Sequence, residues 1–114
     1  MIVRQGDVLL LSVKAPASKD LEAVPADPRG LVLAEGETSG HYHAIFGKDA
    51  RLMQYKSSQG RVVVVVGEEG ADMRVVGGGS GGVDRHTPIS LPKGNYEVRI
   101  QRSYSAGYAR KVQD

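Results

Sequence analysis

Five consecutive valines, Val62–Val66, stand between Arg61 and Gly67. Valine is stiff at χ1 and loses freedom in a helix, whereas it packs well on a pleated surface. So short a β-branched run, closed by glycine, is a strand. A strand with no polar side is buried on both faces. Arg61–Val66 is therefore expected at the centre of a sheet. Fifteen of the 114 residues are valine and fifteen are glycine, so strand and turn chemistry recurs along the whole chain. The composition points to an all-β fold.

Further strands are expected at Gly6–Val13, Gly30–Glu35, His41–Phe46, Arg51–Lys56, Ala71–Val76 and Tyr96–Tyr104, with Ile89–Leu91 as a short edge segment. The tight turn Glu68–Gly70 pairs Arg61–Val66 with Ala71–Val76 as a hairpin on this reading. Lys14–Pro28 holds three prolines and reads as a loop, with one helical turn near Lys19–Ala23. The stretch Gly77–Gly82, GGGSGG, reads as a mobile loop tip. Ser105 is a good N-cap, and Ser105–Val112 is expected as a short C-terminal helix. Seven or eight short strands in a chain this long predict one β domain over residues 1–114, a sandwich, jelly roll or small barrel.

Several function classes drop out early. The chain has no cysteine, which removes disulfides, thiolate metal sites and a cysteine nucleophile. No apolar run approaches the ~20 residues of a membrane span. The N-terminus lacks the basic segment and cleavage site of a signal peptide. A cytoplasmic protein with no membrane association is the expectation. Net charge is +2, all of it contributed by residues 95–114, because residues 1–94 carry eleven charges of each sign. Strand alternation puts Arg99 and Arg102 on opposite faces, which argues against a nucleic-acid surface. No G-x-S-x-G elbow supports a serine nucleophile.

The three histidines carry the most chemistry. His41 and His43 form an H-x-H pair, and a spacing of two residues on a strand puts both imidazoles on one face. Two nitrogen donors so placed grip a divalent ion when a third ligand arrives from elsewhere in the fold. His86 is the candidate third donor. Glu37, Asp49, Asp84 and Glu97 are candidate carboxylates. Imidazole with carboxylate suits Fe(II), Mn(II), Ni(II) or Zn(II).

Two stretches resemble the cupin motifs. Gly36–Ile45, GETSGHYHAI, is similar to the first, in which glycine precedes H-x-H on a barrel strand. Leu91–Val98, LPKGNYEV, is similar to the second, in which P-x-G leads into a strand. The resemblance implies a small cupin-like β-barrel or β-sandwich that binds a divalent metal or a small polar ligand. Cupins place a last histidine where this chain has Tyr96 and Glu97, which leaves Glu97 or His86 to complete the set. Over nearly its whole length the chain also resembles a family of small uncharacterised bacterial and phage proteins. The shared blocks here are Arg4–Leu10, Gly36–Ile45 and His86–Tyr104. That resemblance implies no reaction. The alternative function is a phage or host protein-interaction module without metal or catalysis, in which unpaired strand edges also allow homo-oligomers.

Overall fold

The computed structural model describes residues 1–36, 40–77 and 88–101, together with two short strands at 104–105 and 108–109. The described chain is all-β, with two antiparallel sheets that do not close on each other. The strands are β1 (Ile2–Gln5), β2 (Val8–Val13), β3 (Leu21–Ala23), β4 (Leu31–Glu35), β5 (Tyr42–Phe46), β6 (Ala50–Tyr55), β7 (Ser58–Val66), β8 (Ala71–Val76), β9 (Ile89–Leu91), β10 (Gly94–Ile100), β11 (Tyr104–Ser105) and β12 (Tyr108–Ala109). The larger sheet has the order β1-β2-β10-β7-β6-β3, the smaller β4-β5-β8-β9, and β11 pairs with β12.

Strand β7 is internal, as its valines require. Val63 and Val64 have no exposed surface, and Val66 is 2 % exposed. Both of its edges are taken, one by β6 and one by β10. This corrects the expected hairpin between Arg61–Val66 and Ala71–Val76. With no free edge left on β7, the chain crosses after Gly67 to the other sheet, where β8 pairs with β5 and β9. The crossing is tight. Gly70 takes a positive φ of 71° and donates its N–H to the Gly67 carbonyl. A Cβ on Gly67 would overlap the Asp49 carboxylate, whose Oδ2 accepts the Glu69 N–H at 3.2 Å.

Alternation sorts the large sheet into two faces. Val8, Leu10, Leu52, Val64, Val66 and Tyr96 point inward and share one core with Ile45, Ala71, Met73 and Leu91 of the smaller sheet. Buried Tyr96 keeps its hydroxyl satisfied by donating to the Pro92 carbonyl at 2.6 Å. The expected strand Gly6–Val13 is found as β2, and an unexpected strand, β1, precedes it, the two joined at Gly6–Asp7. Gly6 has φ 59° and takes the first central position of a two-residue hairpin turn.

Two other expectations are corrected. The helical turn near Lys19–Ala23 is a single 3-10 turn, Ser18–Asp20, followed by β3. Among the described residues the expected C-terminal helix Ser105–Val112 is not seen: Ser105 ends β11, and Tyr108–Ala109 is β12. Tyr104 and Tyr108 favour strands, and Gly107 lowers helix propensity between them. The stretch 78–82 lies outside the described residues.

Leu10 is wholly buried between the sheets. Leu10→Ala should lower unfolding free energy by about 2–5 kcal/mol, read from urea melts with an unchanged m-value.

Candidate functional site

His43 lies on β5 with the same inward parity as Ile45. It is 4 % exposed, and its two polar neighbours, Gln5 and Asp7, are 3 % and 4 % exposed. All three come together because the β1–β2 turn lies against the inner side of the smaller sheet. Burying three polar side chains is costly unless they bond to one another. Gln5 Nε2 donates to the Met73 carbonyl at 3.1 Å. That fixes the amide, so its oxygen faces His43 and accepts from Nδ1–H at 3.1 Å. A proton held on Nδ1 makes Nε2 the lone-pair nitrogen of the neutral ring. Nε2 in turn faces Asp7 Oδ1 at 3.9 Å. A histidine ligand is commonly oriented by just such a bond at its other nitrogen.

His41 sits one residue before β5. Its carbonyl accepts the Gly36 N–H at 2.7 Å, which extends the β4–β5 ladder by one rung. A Cβ at Gly36 would stand 3.0 Å from His41 Cβ, so glycine allows the close approach. The spacing of two residues then puts His41 on the same side of the ladder as His43. Its Nδ1 is buried and has no hydrogen-bond partner among the described residues. His41, His43, Gln5 and Asp7 thus contribute polar atoms from the strand and turn at one end of the inner face.

The other expected site residues separate from this group. Glu97 lies on β10, opposite Val63 and Leu11 on the outward face of the large sheet. Its Oε1 accepts from Arg61 at 3.0 Å, and its Oε2 accepts from Arg99 at 3.2 Å. Asp49 holds the β7–β8 crossing. Glu37, Asp84 and His86 lie outside the described residues. Among the described residues, no three His, Asp or Glu side chains form a group able to hold a metal.

Sequence reasoning passed over Gln5 and Asp7. The signal was there: two polar residues flank Gly6, immediately before an apolar strand. Reading the turn as the start of one strand hid it. A cleft of about 310 Å³ opens elsewhere, between the β3–β4 loop and β4. Val24, Leu31, Leu33 and Leu52 line it, and Arg29 bridges Asp27 and Glu35 at its rim. Neither His41 nor His43 lines that cleft.

The hydrogen bond from Arg61, reinforced by Arg99, holds the Glu97 carboxyl below its ordinary value of 4.5 against the opposing effect of burial. A carboxylate with a depressed folded pKa stabilises fully above its unfolded value and loses that contribution as pH falls through the folded one. Glu97→Gln should therefore flatten the acid limb of a thermal-unfolding series. The wild type loses more stability than the variant between neutral pH and the acid range.

Among the described residues, no helix is long and apolar enough to cross a membrane. No curated protein and no solved structure matches the chain. One family model does match, over residues 4–101, and it takes in β2 to β10 and the second half of β1, with the whole Gln5–Asp7–His43 group. The chain belongs to that family, the domain of unknown function DUF8820.

Proposed function

We propose that this protein binds a divalent metal ion at the inner end of β5. His43 and His41 supply imidazole nitrogens, Asp7 a carboxylate oxygen, and His86 the further donor. One observation carries the reading: Gln5 locks the His43 proton onto Nδ1 and turns Nε2 toward a buried carboxylate. A buried imidazole and a buried carboxylate facing each other at 3.9 Å form a mixed nitrogen–oxygen donor set of the kind first-row divalent ions favour. Glu97 leaves the proposed set, because its two oxygens already accept from arginines on the other side of the sheet.

The open pair of antiparallel sheets suits a cupin-like barrel or sandwich, with the ion near one end of the core. When bound, such an ion supplies Lewis acidity toward an oxygen-rich small molecule. Gln5 orients the His43 ring, and the surrounding apolar core limits water at Nε2. A cytoplasmic setting agrees with the absence of cysteine.

Chelator-treated protein titrated with Mn(II), Fe(II), Ni(II) or Zn(II) should melt at a higher temperature with at least one of them. An ion at 100 times its Kd adds about 2.7 kcal/mol. His41→Ala/His43→Ala should abolish the shift, and Gln5→Met should weaken it by roughly 10–100-fold in affinity. If no ion raises the melting temperature or binds calorimetrically, the group is a polar brace of the core and the reading fails.

A further inference from the structure

The two sheets leave a seam open on the side of β3 and β4. Among the described residues each of these strands is the last in its sheet, β3 beyond β6 and β4 beyond β5. The cleft of about 310 Å³ lies in that seam. Every residue of β4, Leu31–Glu35, lines it. Val24, whose N–H donates to the Leu52 carbonyl and so prolongs the β3–β6 ladder, and Leu52 itself form the facing wall. Neighbouring residues of a strand point to opposite faces. A wall made by five strand residues in a row is therefore the edge of β4 rather than one of its faces. Among the described residues β4 pairs with β5 alone, so this edge meets the cleft with no strand beside it.

Natural edge strands are blunted by lysine, proline or an inward charge. β4 has neither lysine nor proline, and its one charge is Glu35 at the end. Its irregularity is a bulge between Val32 and Ala34, which sets consecutive Leu33 and Ala34 against the core beside Leu31. With Val24 and Leu52 these make an aliphatic floor. Bulges that re-aim side chains in this way recur next to functional sites.

The rim is charged, and unequally. Arg29 donates to both carboxylate oxygens of Asp27 and to both of Glu35, and its guanidinium lies 4.7 Å from the centre of the Tyr42 ring. Asp27 and Glu35 keep acceptor capacity, with side chains 32 % and 65 % exposed. One arginine between two carboxylates leaves one net negative charge, on a chain whose total is +2. We propose that β4 accepts an added strand here, an extended segment of a partner protein with apolar side chains toward the cleft and basic side chains toward Asp27 and Glu35. Five residues at about 3.3 Å each give the edge a length of roughly 17 Å, which suits a segment of five or six residues. A second copy of β4 fits less well, since Leu31–Glu35 offers an acid and no base.

Fluorescence anisotropy on the full chain tests this with six-residue peptides: alternating Val/Lys, alternating Val/Glu, and the Val/Lys peptide with every second amide N-methylated, in both phases. The Val/Lys peptide should bind tightest, although the chain's overall charge favours Val/Glu. One N-methylated phase should bind about tenfold or more weakly, because its backbone no longer donates to β4. Amides 31–35 should gain hydrogen-exchange protection on binding. Glu35→Lys, at an exposed position, should turn the preference toward Val/Glu. It should leave the response to divalent ions as in the wild type, which separates this edge from the proposed metal site. Undiminished binding of both N-methylated phases would make the cleft a pocket for small apolar ligands. Concentration-dependent protection of 31–35 without peptide would assign the edge to a second copy. Either result, or an unchanged preference in Glu35→Lys, overturns the proposal.

Discussion

The demand of β7 for burial on both sides organises the larger sheet. A strand of five valines gains by having apolar surface above and below and a hydrogen-bonded neighbour on each edge. Its sequence neighbour β6 fills one edge through a short hairpin. The other edge is filled by β10, from far along the chain, and β10 in turn pairs with β2. One requirement thus draws the N-terminal hairpin, the central hairpin and the last long strand into a single sheet. It also leaves β8 no place there, so the chain crosses over and builds the second sheet that covers the core.

That second sheet is where polarity enters the interior. Met73, Ile45 and Leu91 close the core in the ordinary apolar way, but His43 continues the inward row of β5 with an imidazole. The cost of burying it is offset by Gln5 and, through Gln5, by a backbone carbonyl of β8. The outward side of β10, in the larger sheet, meets a related problem differently. Glu97 is almost as buried as His43, yet it is neutralised by two arginines whose own exposure keeps them hydrated.

Local chemistry made much of the fold legible. The valine run, the Gly30–Glu35 and His41–Phe46 stretches and the short Ile89–Leu91 edge all read as strands from composition and punctuation, and each is a strand in the structure. Pairing was the harder matter. The Glu68–Gly70 turn looks like a hairpin turn, and only the occupancy of both β7 edges, a long-range fact, turns it into a crossover. The end of the chain misled for another reason: a good N-cap at Ser105 counted for more than the two tyrosines that favour extended backbone. At the candidate site, the parity of His41 and His43 followed from spacing alone. Gln5 and Asp7 did not, because they meet His43 only when the two sheets face each other, and nothing in a linear pattern records that meeting.

The amide of Gln5 is a rivet between layers. It belongs to an edge strand of the larger sheet, yet both its polar atoms are spent on the smaller one. Edge strands are the parts of a sheet that open most readily. Any fraying of β1 therefore releases the imidazole from its fixed tautomer at the same moment that it loosens the clamp between the sheets. Order at the chain's first strand and order at the histidine are one equilibrium.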